Sequence, residues 1–129
     1  VPAGLPETVE AQLVSRLQEL IALARKSGSA VAGFEKVKGW LAAGRVRVLL
    51  QARDGSQRGK SKLWTPEGGR FFDVLSAREL GLAFGRESVI HGALGAGGLA
   101  ERVVEEASRL TGFRESVGGG AVGKDRTTT

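Results

Sequence analysis

LSARELGLAFGRESVIHGAL, residues 75–94, packs a helix start, a helix stop and a strand into one short stretch. Ser76-Ala77-Arg78-Glu79 is a capping-box sequence. The Ser76 hydroxyl can accept from the Glu79 amide, and the Glu79 carboxylate can reach back to the Ser76 amide. The helix it opens is short and stops at Gly85. Residues 89–94 then read as a strand. Upstream, residues 70–75 read as another strand, preceded by the breakers Pro66, Gly68 and Gly69. Residues 56–63 are polar, basic and at most weakly helical. Asp54-Gly55 is a turn, and residues 46–52 are a strand. Within it Val48, Leu49 and Leu50 are consecutive and apolar, as a strand covered on both faces requires.

Further upstream, Phe34, Val37 and Leu41 share one face of a helix over 34–43, closed by Gly44. Residues 29–32 have room for a very short strand. A first helix starts at Pro6, a favoured first helical position, with Glu7 and Glu10 at its positive end. Val9, Leu13, Leu17, Leu20 and Ala24 form its apolar stripe, and Gly28 is its stop. Downstream, Leu99, Val103, Ala107 and Leu110 mark a last helix ending at Gly112. From Glu115 the chain has too little apolar surface to offset its ordering entropy. The expected organisation is a domain over 6–114 with disordered ends at 1–5 and 115–129. Helices and strands that alternate in this way imply an α/β fold, with helices on both faces of a mostly parallel sheet.

The 129 residues suit a single domain with a real core, and 41% of them are hydrophobic. The absence of cysteine excludes disulfides, thiol catalysis and thiolate metal sites. A lone histidine, His91, argues against a histidine metal cluster or a catalytic triad. No apolar run approaches the roughly 20 residues of a membrane helix, and VPAGLPE is no secretory signal. A cytoplasmic protein that does not bind membranes is expected. Methionine is absent, even at position 1, so a piece of a longer chain is expected too.

Charge is unevenly spread. Residues 25–62 hold ten bases (Arg25, Lys26, Lys36, Lys38, Arg45, Arg47, Arg53, Arg58, Lys60, Lys62) and two acids (Glu35, Asp54). That is +8 within a chain of net +5, which leaves −3 for the rest. The block is threaded through folded elements, so folding can fix these cations on a surface. A phosphate backbone needs such a surface, because each contact releases condensed counterions. A merely solvated face is the competing reading.

Three stretches carry a resemblance: LIALARKSGSAVAGFEKV (20–37), LLQARDGS (49–56) and LSARELGLAFGRESVIHGAL (75–94), the last with its Leu80-Gly81-x-Ala83-x-Gly85 helix. Together they resemble the superfamily of kink-turn-binding ribosomal proteins and their bacterial relatives. GFEKVKGWLAAGRVRVLL and GRESVIHGALGAGGLAERVVEEA are similar to the C-terminal domain of two-domain YlxR-family proteins, which are linked to nucleic-acid binding and transcription termination. The resemblance spans about residues 20–113. It implies a three-layer α/β/α sandwich with a four-stranded mixed sheet, and a non-enzymatic, monomeric RNA-binding domain without a cofactor. The implied partners are structured rRNA or mRNA, and components of the ribosome or the transcription elongation machinery. The expected RNA-binding residues are Arg25, Lys26, Gly33, Phe34, Lys36, Lys38 and Arg86, near one edge. The alternative is a protein-interaction module of the translation or transcription machinery. Departures matter as well. Kink-turn readers carry Asn-Glu-x-x-Lys at the start of the second helix; here Glu35, Lys36 and Gly39 occupy those positions. Phosphate contacts survive such changes and base reading does not.

Other features have plainer readings. Gly95-Ala96-Gly97-Gly98-Leu99-Ala100 mimics a dinucleotide fingerprint but lacks the following strand that would carry the ribose-binding acid. A tight turn and a helix start are expected instead. His91 reads as a buried or half-buried structural histidine, and Phe34 as core before stacking platform. Glu101, Glu105, Arg102 and Arg109 read as a solvated helix face. Trp40 is expected half-buried, and Trp64 is a candidate for exposed contact.

Overall fold

The structure, a computed structural model, describes residues 5–54 and 63–118. Its elements run α1 (Leu5–Lys26), β1 (Ala30–Ala32), α2 (Phe34–Ala42), β2 (Val48–Gln51), β3 (Arg70–Phe72), α3 (Ala77–Ala83), β4 (His91–Leu94) and α4 (Gly98–Gly118). The sheet order is β1-β4-β2-β3. β4 pairs antiparallel with both β1 and β2, and only β2 and β3 run parallel. The sheet is therefore mixed, as the resemblance implied, and not mostly parallel as the alternation of helices and strands implied, because β4 runs against both of its neighbours.

Period-two alternation sorts the sheet's side chains between two cores. Ala30, Ala32, Val48, Leu50, Phe72 and Leu94 are buried with α1, α3 and α4. Leu49 and Ala93 are buried with Val37 and Leu41 of α2, joined by Val46 and Leu63, and Val31 packs beside them. The result is a three-layer sandwich with α2 alone on one face among the described helices. Val48-Leu49-Leu50 is apolar throughout because its neighbours in sequence face different layers.

The capping box forms as its sequence requires. Glu79 N donates to Ser76 Oγ at 3.1 Å, and Ser76 N donates to Glu79 Oε1 at 2.9 Å. Asp54 adds a long-range cap, accepting from Ala77 N at 2.8 Å. α4 runs through Gly112 instead of ending there, which moves its end to Gly118. A mid-helix glycine costs about 1 kcal/mol, and the bonds made by Arg114 one half-turn later offset that. Of the ends expected to be disordered, 1–5 and 115–129, Leu5 opens α1 and residues 115–118 continue α4, where the bonds of Arg114 hold the helix. Residues 1–4 and 119–129, and most of the weak 56–63 segment, lie outside the described residues.

Candidate nucleic-acid interface

The β1–α2 junction is set by Gly33. Its φ of 107° is open to glycine and strained for other residues, and its amide donates to His91 O at 2.9 Å. This ties the start of α2 to the start of β4, whose Gly92 is the register partner of Ala32. No side chain caps α2, so the amides of its first turn keep a partial positive charge directed outward.

The α3–β4 connection arrives at the same end of the sheet. Gly81 is pressed onto it: a Cβ there would lie 2.7 Å from Ser88 Cα and 2.8 Å from Arg86 O. The Arg86 amide in turn donates to Gly81 O at 2.8 Å. Arg25, in the last turn of α1, lies against the same corner. Its Nη2 is 3.4 Å from where a Gly85 Cβ would be.

The expected site residues therefore fall as follows. Gly33, Phe34 and Lys38 join the start of β4, while Arg25 and Arg86 meet at the Gly85 corner. Lys36 is exposed in the first turn of α2, and Lys26 is exposed in the last turn of α1. None of these five cations makes an ion pair among the described residues. Glu35 and Glu87 are exposed beside them.

Phe34 is half-buried against the α2-side core. His91 meets it edge-on at 5.5 Å, and Lys38 Nζ lies 5.8 Å from its ring centroid. The ring is thus largely engaged, in keeping with its reading as core. His91 is buried, with Nδ1 3.3 Å from Gln51 Nε2. Burial lowers its pKa, so it is neutral at pH 7 and adds no charge to this end.

Sequence reasoning missed a second charged centre, among α1, α3 and α4. Arg114 Nε donates to Glu10 at 2.7 Å, and its Nη2 donates to Glu79 at 3.0 Å. It also donates to the Val74 carbonyl. Burial opposes ionisation of Glu79, yet the hydrogen bonds from Arg114 and the Ser76 amide prevail and hold its pKa below the ordinary carboxylate value. Nothing local marks this triad; its members lie 104 and 35 residues apart. The surface ion pair of α4 joins Arg109 to Glu106 at 3.0 Å, and does not involve Glu101 or Glu105.

No protein-family model matches the chain, and no curated protein matches it. Solved structures do. One is a protein of unknown function from Bacillus halodurans, with TM-score 0.63 and 18% identity over 71% of this chain and 96% of that one. Another is a 15.5kD RNA-binding protein from Giardia lamblia, with TM-score 0.57 and 15% identity over 79% of this chain and 90% of that one. This chain has their fold. At these identities the likeness concerns architecture, so function has to be argued from the surface.

Proposed function

We propose that this chain is a non-enzymatic RNA-binding domain that holds structured RNA mainly by its phosphate backbone. The observation that carries the reading is the end of the sheet just described. There Arg25, Arg86, Lys36 and Lys38 are exposed without acidic partners among the described residues, around an α2 N-terminus that no side chain caps. Cations and helix amides of this kind bind phosphate without reading sequence. The fold shared with a protein named as RNA-binding supports the same reading. Glu35, Lys36 and Gly39 at the start of α2 support backbone contact over readout of a kink-turn. The resemblance to the YlxR-family C-terminal domain supports a role of this domain, acting as a monomer, in transcription termination or at the ribosome of a bacterial cytoplasm.

The test is a salt titration with an RNA stem-loop. If Arg25, Lys36, Lys38 and Arg86 each neutralise one phosphate, log K against log salt falls with a slope of about −3 to −4. Replacing any one with alanine weakens all RNAs alike and flattens the slope by about one unit. Binding that ignores salt, or stoichiometric capture of a protein with no affinity for RNA, would refute the reading in favour of a protein-interaction module.

A further inference from the structure

The basic block does not all lie at the α2 N-terminus. Arg45 and Arg47 follow α2 and precede β2, so they lie toward the opposite end of the sheet. The backbone fixes this placement. Arg47 N donates to Leu94 O at 2.8 Å, at the end of β4, and Arg70 N donates to Arg47 O at 2.9 Å, at the start of β3. Arg45, Arg47 and Arg70 are all exposed, and none pairs with an acid among the described residues. Glu67 is the exposed acid in the adjoining loop.

Arg70, the register partner of Val48, turns to the other face of the sheet, with its guanidinium 5.3 Å from the Phe72 ring centroid. Two large aromatics are exposed in segments that reach the α2-side core. Phe71 is 39% exposed on β3, the edge strand of the sheet among the described residues. It is the register partner of Leu49, so it shares the α2-side face. Trp64 is 49% exposed and follows Leu63, which is buried with Leu49 in that same core. Exposed rings of this kind offer flat apolar faces on which a base can stack. Trp40, by contrast, is half-buried, and Arg45 lies 4.2 Å from its ring centroid.

We infer that this end is a second RNA contact, which takes unpaired nucleotides flanking the structured element. Arg45 and Arg47 hold their phosphates, and Trp64 and Phe71 stack their bases. The inference rests on the proposed RNA-binding function. Stacking on an aromatic side chain requires a base free of a duplex, which selects single-stranded RNA over a second helix. The two ends are joined by four-residue strands, roughly 13 Å at strand rise. That equals about four steps of a nucleic-acid strand, so one RNA can reach both.

The experiment compares a blunt stem-loop with the same stem-loop carrying a six-nucleotide 3′ or 5′ uridine or adenine tail. At least one tail should tighten binding about tenfold, within the range for base–aromatic stacking. Trp64→Ala should abolish most of that gain, and Arg47→Ala part of it, while the blunt stem-loop binds as before. Trp40→Phe leaves Trp64 as the sole indole, since the chain has two tryptophans. Its fluorescence should be quenched by tailed but not by blunt RNA. If Trp64→Ala fails to fold, the fluorescence arm still decides. A blunt stem-loop that binds through Lys36 and Arg86 with no gain from any tail overturns this inference and leaves the proposed function standing. Failure of both RNAs to bind overturns both. Concentration-dependent dimerisation that buries Trp64 would instead assign this edge to a second copy of the chain.

Discussion

Replacing Glu79 with alanine removes two interactions with one carboxylate. The capping box loses its return bond to the Ser76 amide, a loss of about 0.5–2 kcal/mol for caps in general. Arg114 loses its bond to Glu79 while keeping Glu10 and the Val74 carbonyl. The Glu79 side chain is 28% exposed and that of Arg114 14%, so this pair is shielded more than a surface salt bridge, and a charge-assisted bond contributes about 1.5–3 kcal/mol. Because Arg114 keeps two partners, the combined loss for Glu79→Ala is about 2–3 kcal/mol. Glu79→Gln keeps an acceptor for Ser76 and loses mainly the charge, about 1–2 kcal/mol. At roughly 3–6 °C per kcal/mol for a domain of this size, alanine should lower Tm by about 8–15 °C. Thermal unfolding followed by circular dichroism measures this. A double-mutant cycle with Arg114→Ala should give a coupling of about 1–2 kcal/mol. The Glu79 pKa is lowered in the folded state from a reference of 4.5. Its contribution is therefore complete above pH 4.5 and is lost as pH falls through the lower folded value. A Glu79→Ala loss under 0.5 kcal/mol, or a coupling within error of zero, would refute the assignment of Arg114 as the brace of α3.

Gly81→Ala should destabilise the domain by about 1–3 kcal/mol, because its Cβ would meet the Arg86–Ser88 backbone; amide shifts confined to residues 85–91 would confirm the origin, and a neutral melt would refute it. His91 has a folded pKa below its reference of 6.5 through burial, so stability should decline as pH falls below 6.5 until the folded value is passed, and His91→Gln should remove that slope in urea titrations. A kink-turn RNA should gain little over a mutated kink-turn, and a preference of a hundredfold, roughly 2.7 kcal/mol, would show that base reading survives Glu35, Lys36 and Gly39. Glu35→Gln should tighten RNA binding slightly by removing a like charge beside the phosphates. Calorimetric titration with NAD should give no saturable heat at the Gly95–Gly98 turn.

Local signals made much of the fold legible. Ser76 and Glu79 state their cap within four residues, and Val48-Leu49-Leu50 states that both faces of β2 are covered. Strand direction was not legible, since the antiparallel pairing of β4 with β1 and β2 is decided by packing between distant segments. The length of α4 was misread for the same reason. Gly112 is a sound stop signal, but Arg114 beyond it is held by α1 and α3, and tertiary bonds override a local propensity. On the candidate site, charge counting found the cations but not their arrangement. Residues 25–62 read as one block, whereas the fold sends Lys36 and Lys38 to one end of the sheet and Arg45 and Arg47 to the other. Phe71 joined the second group only through β3, whose neighbour in the sheet lies some twenty residues earlier in the chain, and Trp64 only through the core that Leu63 shares with Leu49.

The bond between Glu10 and Arg114 spans 104 residues, and α1 and α4 pack against each other along the same layer. During synthesis α1 therefore waits for α4. Until α4 emerges, the apolar stripe of α1 is only partly covered, and β4, the strand that pairs with both β1 and β2, is also still to come. High sequence separation of this kind delays the gain from closing the chain until closure is nearly complete. The domain should fold as a single cooperative unit only once α4 has emerged, and a fragment lacking α4 should collect as a chaperone client or an aggregate.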